Sequence, residues 1–312
     1  MRLGKIETQK ETLADAVNKF ITFKKADHIA PRTLRDYESY LGDFIANSSN
    51  SLDMDVLTND VLTYFSNIPR TSPARYNHPY QNLSSFFNWA TKQKDIPITH
   101  NPITAQGLHK IKDDGNIKPV NIADIKVLLK SFKRDTFASL RNYVITLVML
   151  DTGIRTSELR RLKDDAFDAA AKQITISKLI SKTRRTRVVY LSDSTARELD
   201  KFIKVKPAGW CDLIFPTREG KEMTSEGMAR EFAKQCQKAG VKMTPYQFRH
   251  TFATYFAANG GDIFTLQDIM GHADIRMTRR YTELDEANKK KQHKAYSPIN
   301  ALQGSSRLVN LG

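Results

Sequence analysis

Cysteine is nearly absent, with Cys211 and Cys236 the only two in 312 residues. Two thiols cannot staple a fold, and no CxxC pairing offers a zinc site, so the chain reads as a reduced, cytosolic protein with incidental thiols. No run of about eighteen apolar residues occurs, which excludes a membrane-spanning helix. The opening MRLGKIETQKET has no apolar h-region, which excludes an obvious export signal. There is no glycine-rich phosphate loop, no metal-ligand spacing, no internal repeat and no low-complexity tract. No cofactor and no metal are therefore expected.

Positive charge is what the chain has in excess: 49 Lys and Arg against 34 Asp and Glu, a net charge of +15, with a pI of about 9.7. The excess is uneven. Residues 1–118 hold 15 basic against 13 acidic side chains, and residues 119–312 hold 34 against 21, so +13 of the charge belongs to the second part. Such a surface concentrates polyanions, and neutralised phosphates release counterions on binding. No lysine-rich amphipathic anchor helix stands out, so nucleic acid is favoured over a membrane surface. Forty per cent apolar residues and sixteen Phe suffice for real cores. The length suggests two domains.

Apolar spacing makes the first part helical. TLADAVNKFITFK sets Leu13, Val17, Phe20 and Ile21 on one face, and PRTLRDYESYLGDFI does the same with Leu34, Tyr37, Leu41, Phe44 and Ile45. VLTYFSNI, capped from Thr58–Asp60, and HPYQNLSSFFNWATKQK complete an expected four-helix bundle. Arg32, Arg35, Arg75 and His78 fall on its exposed faces as candidate DNA contacts, although a solvated surface explains each singly. The boundaries predicted are a helical domain over 8–102, a linker over 103–118, a second domain over 119–288 and a tail over 289–312. In the second domain NIADIKVLLKSF and SLRNYVITLVMLDTG read as helices. QITIS and RVVYL alternate as strands of a small antiparallel sheet of two or three strands. Helices return in STARELDKFIKV, SEGMAREFAKQCQKAG, PYQFRHTFATYFAANGG and IFTLQDIMGH.

Four stretches carry chemistry. TGIRTSELRRL turns Ile154, Leu159 and Leu162 inward and leaves Arg155 and Glu158 as i,i+3 neighbours, a carboxylate able to orient a guanidinium. From this stretch alone an ordinary surface ion pair would serve equally. SKTRRTRVVYL puts Lys182, with Arg184 and Arg185, at a strand–strand turn, where a solvated basic turn is the plain alternative. TPYQFRHTFAT offers Thr244 as helix cap, Pro245 at the first helical position, and Arg249 and His250 beside an apolar face. MGHADIRMTRRYTEL stops a helix at Gly271, sets His272 beyond it, and brings Arg279 and Arg280 up to Tyr281. Together these supply cations for a pentacoordinate phosphorane, a phenol to form a covalent phosphotyrosine, and an acid for the leaving alkoxide.

The order and wording of the four stretches resemble the tyrosine recombinase, or phage integrase, family over about residues 8–290. The resemblance implies a mainly α protein. It would pair a helical N-terminal core-binding domain with a mixed, mostly helical catalytic domain carrying a small antiparallel sheet. It implies that Arg155 and Arg249 hold the scissile phosphate, with Glu158 in support. Lys182 would be general acid, His272 a hydrogen-bond donor to the phosphate, and Tyr281 the nucleophile. His250 matches the histidine that follows the second arginine. At Tyr246 the chain departs from the family, which most often has histidine there. A phenol with a pKa of about 10 is a poor base, so Tyr246 reads as a hydrogen-bond donor or a group that positions the phosphate, and how Tyr281 loses its proton is left open.

The implied activity is metal- and ATP-independent, site-specific recombination of double-stranded DNA, for integration or excision of a phage or mobile element. Resolution of chromosome or plasmid dimers, a regulator that has lost cleavage, and a type IB topoisomerase are the alternatives. The implied partners are DNA recombination sites, a homotetramer with exchanged tails, and DNA-bending or directionality proteins. The expected location is cytoplasmic, at the nucleoid. No arm-binding domain is expected ahead of residue 8, which would weigh against bridging of distant arm sites.

Overall fold

A computed structural model describes residues 11–69, 71–112, 119–207, 209–281, 290 and 293–294. The chain divides into two units, Met1–Asn116 and Ile117–Gly312.

In the first unit the helices are α1 Leu13–Ala26, α2 Pro31–Ala46, α3 Met54–Asn67, α4 Pro73–Ala90 and the short α5 Pro102–Ala105. Side-chain caps set most of their starts. The Thr12 hydroxyl accepts from Asp15 N–H, the Asp53 carboxylate from Asp55 and Val56 N–H, and the Ser72 hydroxyl from Arg75 N–H. Each cap contributes about 1 kcal/mol. Phe20, Phe44, Phe86 and Phe87 are fully buried at the centre, with Phe20 edge-on to Tyr37 and Phe86.

Two helix starts differ from expectation. α3 begins at Met54 because Leu57 joins Val61 and Tyr64 on its buried face. Thr58–Asp60 therefore lie inside the helix, where Asp60 accepts from the Ser49 N–H and hydroxyl instead of capping. α4 starts at Pro73 rather than His78, because Ser72 and Pro73 form a ready-made cap and first turn. It carries the buried Pro79 in its interior. The expected linker also begins later. Ile103 is fully buried in this core, and the Asn77 amide brackets Ile111, donating to its carbonyl and accepting from its N–H. Residues 103–112 thus belong to the first unit.

The second unit contains α6 Ile122–Ser131, α7 Phe137–Thr152, α8 Thr156–Leu159, β1 Phe167–Asp168, β2 Gln173–Ile176, β3 Arg187–Tyr190, α9 Asp193–Val205, α10 Ser225–Ala239, α11 Pro245–Ala258, α12 Ile263–Met270 and α13 Arg276–Arg279. The three strands form one antiparallel sheet in the order β1-β2-β3. Ile174 stands opposite Val189 and Ile176 opposite Arg187, so Arg187 shares the inward face with Val189. α7 is the central rod: Val144, Ile145, Val148 and Met149 are all fully buried, and α11 and α9 pack along it. Arg141 on the same helix is also buried, donating to the Pro216 carbonyl at 2.7 Å and ion-paired with Glu231 of α10. α7 ends at Gly153, whose φ of +62° reverses the chain and leads directly into Arg155. Among the described residues no helix is long and apolar enough to cross a membrane. The tail expected from residue 289 lies outside the described residues, apart from Lys290, His293 and Lys294.

Candidate active site

The end of one helix organises the cations. The last carbonyls of a helix lack intrahelical donors and carry the negative end of its dipole. α12 stops at Gly271, which takes a φ of +61°, and its exposed carbonyls are shared among three arginines. Ile269 O accepts from Arg187 Nε at 2.9 Å, Met270 O from Arg249 Nη2 at 2.6 Å, and Gly271 O from Arg155 Nη2 at 2.8 Å. Arg249 also donates through Nη1 to Gly153 O at 2.5 Å. The two glycine turns therefore hold the two arginines of the sequence motifs in one place.

Beneath them lies Glu158, fully buried. It accepts from Arg155 Nη1 at 3.1 Å and from Arg187 Nη1 and Nη2 at 3.1 and 2.6 Å. Its second oxygen also accepts from Arg155 N–H at 3.3 Å, which caps α8. Burial pushes the carboxyl up, but the hydrogen bonds and charges of Arg187 and Arg155 outweigh it and hold the group below the usual carboxylate range.

His272 is buried, with Nδ1 2.8 Å from Thr278 Oγ1 and Nε2 3.0 Å from Arg249 Nη2. A guanidinium only donates, so Nε2 accepts and Nδ1–H donates to Thr278. Burial and the charges of Arg249 and Arg155 lower the ring to about 3, so it is neutral. Burial and the neighbouring Arg155 likewise bring Arg249 down to about 9, still charged at neutral pH. Tyr281 reaches the same place: its hydroxyl lies 2.8 Å from His250 Nδ1. Burial pushes the phenol up despite the nearby Arg249. Burial, Arg280 and Arg249 bring His250 down to about 4. Its Nε2 is buried without a hydrogen-bond partner among the described residues, a defect that costs about 1–3 kcal/mol. The Tyr246 ring, more than half exposed, stands edge-on to His250 with centroids 4.6 Å apart.

These groups line one cleft of about 440 Å³, into which Arg155, Lys182, Tyr246, Arg249, His250, His272, Arg280 and Tyr281 all contribute. The Phage integrase family matches residues 121–288, more than half of the chain. The chain belongs to the tyrosine recombinase family. Its members are enzymes that break and rejoin DNA. The chain is 26% identical over 306 residues to tyrosine recombinase XerD of Listeria innocua, covering 91% of this chain and 99% of that one. It is 23% identical over 283 residues to tyrosine recombinase XerA of Pyrococcus horikoshii, covering 89% and 92%. The fold resembles the Tn1549 transposon integrase in complex with transposon right end DNA, with a TM-score of 0.73 at 20% identity over 91% of this chain and 99% of that one. It also resembles a lambda integrase in a tetramer bound to a Holliday junction, with a TM-score of 0.72 at 17% identity over 89% and 80%.

The recombinase motifs thus converge in the cleft, except that Glu158 stands behind it, hydrogen-bonded to Arg155 and Arg187. Of the other basic candidates, Arg184, Arg185 and Arg279 are exposed and do not line the cleft; Arg185 lines an adjoining hollow. Arg32, Arg35, Arg75 and His78 are exposed on the first unit, as expected, with His78 Nδ1 3.2 Å from the Tyr40 hydroxyl. His272 differs from expectation. With Nε2 accepting from Arg249, it has no N–H left for a phosphate. Donation from Nε2 needs the Thr278 hydroxyl to turn from acceptor to donor, which a hydroxyl can do. Sequence reasoning missed Arg187 and Thr278. A signal for Arg187 existed: in the alternating RVVYL it falls on the inward face with Val189, and an inward arginine requires a buried acid. Thr278 gave no comparable signal, because α13 is a single turn.

Proposed function

We propose that this recombinase performs site-specific strand exchange on duplex DNA, with Tyr281 as nucleophile. The observation that carries this is the Tyr281 hydroxyl sharing one cleft with Arg155, Lys182 and Arg249. In this reading Tyr281 Oη attacks the scissile phosphorus, the bond to the 5′ oxygen breaks, and a 3′-phosphotyrosyl link forms. Lys182 gives the leaving oxygen its proton. Arg155 and Arg249 turn donors from the α12 carbonyls to the phosphate, while Glu158 and Arg187 hold Arg155 in place. Another strand's 5′-hydroxyl reverses the step, conserving the bond energy without ATP or metal.

The helical domain contacts the core site through Arg32, Arg35, Arg75 and His78, mostly at phosphates. Arg184, Arg185, Arg279 and Arg280 do the same around the catalytic cleft. Exchange requires a homotetramer, in which the segment after about residue 288 passes to a neighbour, and accessory proteins set direction. The setting is integration or excision of a mobile element, in a cytoplasmic complex at the nucleoid. The Xer relatives, matched along nearly their whole length, favour a second reading, resolution of chromosome or plasmid dimers. Recombination assays in cells separate the two: a circular element entering a target supports integration, and conversion of dimers to monomers supports resolution.

Nicked suicide duplexes carrying candidate sites, followed by denaturing electrophoresis, test the chemistry. A covalent adduct lost in Tyr281→Phe and kept in Tyr246→Phe is expected. An adduct that survives Tyr281→Phe but not Tyr246→Phe overturns the assignment, and no adduct on any site favours a DNA-binding regulator.

A further inference from the structure

Where family members most often carry histidine, this chain has Tyr246, and no titratable base replaces it at that position. The structure nonetheless puts an imidazole on the nucleophile. His250 Nδ1 lies 2.8 Å from Tyr281 Oη, the one hydrogen bond to that hydroxyl among the described residues. The distance suits a direct transfer. His250 is one helical turn beyond Tyr246 on α11, and the edge-on Tyr246 ring packs against it at 4.6 Å. The aromatic exchange at position 246 therefore walls the imidazole in while leaving its Nδ1 on the phenol.

We infer that His250 is the proton acceptor for Tyr281, in place of the missing histidine. This rests on Tyr281 being the nucleophile. As Oη bonds to phosphorus, the Oη–H bond breaks and its proton passes to Nδ1. The 5′ oxygen leaves with a proton from Lys182. In the religation step the incoming 5′-hydroxyl gives its proton back to the Lys182 amine as it attacks, and the imidazolium returns its proton to Oη as the phosphotyrosyl bond breaks, so the cycle balances without an outside base.

The charged surroundings make the base conditional on substrate. The groups facing His250 are Arg249 on its own helix, Arg280 beside Tyr281, and the phenols of Tyr246 and Tyr281. The two cations disfavour an imidazolium, and burial adds to them. A scissile phosphate in the cleft brings the opposite charge, offsets both cations and raises the proton affinity of His250 where it is needed. In free protein His250 is a neutral partner that parks the phenol; in the complex it becomes the acceptor.

His250→Asn separates holding from proton transfer, because the Asn side chain can hydrogen-bond the Tyr281 hydroxyl in place of Nδ1 but its oxygen cannot keep a proton at neutral pH. Single-turnover cleavage of the suicide duplex should fall about 10²- to 10³-fold at pH 7. Its rate should climb about tenfold per pH unit as the phenol ionises unaided, whereas wild type is flatter. DNA binding and thermal melting should stay near wild type. A duplex with a 5′-bridging sulfur at the scissile position, whose leaving group needs no proton, should rescue Lys182→Ala and not His250→Asn. Wild-type pH dependence in His250→Asn, whatever its rate, overturns the inference, as does rescue by the sulfur. Tyr246→Phe should lose less than about tenfold, and a steep pH dependence there instead would transfer the role to Tyr246. Cleavage surviving in Tyr281→Phe would overturn the nucleophile itself, a result distinct from any of these.

Discussion

Replacing Arg187 with methionine tests whether the buried Glu158 cluster supports the site. Glu158 is fully buried and receives two of its three guanidinium hydrogen bonds from Arg187. Methionine fills much of the volume but, among the described residues, leaves only Arg155 as a cation on that carboxylate and strips Ile269 O of its side-chain donor. Breaking a buried ion pair from one side costs about 3–5 kcal/mol, and an unpaired carbonyl adds about 1 kcal/mol. Retained Arg155 contacts offset part of this, so a net loss of about 3 kcal/mol is expected. For a domain of this size that lowers the melting temperature by roughly 6–12 °C. Glu158 has a depressed folded-state pKa, so its contribution is present above the unfolded value and lost as pH falls through the folded one. Arg187→Met should shift that acid loss to higher pH. Melting of Arg187→Met, Glu158→Gln and the double variant gives the coupling, expected above about 1 kcal/mol. Suicide-substrate cleavage should fall with it, since Arg155 loses its brace. A melting change under about 2 °C, or strictly additive losses, would refute the reasoning.

Three further outcomes follow from the same geometry. Thr278→Val removes the acceptor that fixes His272 Nδ1–H. It should cost about 1–2 kcal/mol in denaturant unfolding and slow cleavage about tenfold, whereas Thr278→Ser should keep both. Gly153→Ala sets a Cβ 2.5 Å from Phe252 Cδ1 and 2.9 Å from Met270 Sδ at a φ of +62°. A loss of about 2–4 kcal/mol is expected from strain and clash, and a neutral result by chemical denaturation would show that the turn yields freely. His250 and His272 fall to about 4 and about 3 in the folded protein, so the unfolded chain binds more protons below about pH 6.5. Stability should therefore drop as pH falls from about 6.5 towards 4. Melting curves at pH 7.5 and pH 5 check this, with His250→Asn reducing the difference.

The amino-acid pattern alone carried the helices with one apolar face, the Gly271 stop and the alternation of QITIS and RVVYL. Those features are local: caps, periodicity and left-handed glycines act over a few residues, so they survive in one dimension. The motif residues Arg155, Lys182, Arg249, His272 and Tyr281 stood out as a set only through the resemblance of their four stretches to one family, and the fold brings them to one cleft. The start of α3 and of α4 was misjudged where a stronger cap lay upstream, and residues 103–112 looked like linker because their anchors, Ile103 and Asn77, act across the fold.

Tertiary structure alone decided the partners. Nothing in the order of residues says that Arg155, Arg187 and Arg249 would divide the last two carbonyls of α12 and that of its Gly271 cap among them, because a helix end offers acceptors to whatever packs there. Nor does it say that Glu158 would be enclosed by two of those arginines, or that His272 would spend both nitrogens on Thr278 and Arg249. Tyr281 and His250 are thirty-one positions apart, and their 2.8 Å contact exists only because α11 and the turn after α13 meet. The sequence supplied a phenol, an imidazole and a surplus of cations; burial and distance assigned each its partner.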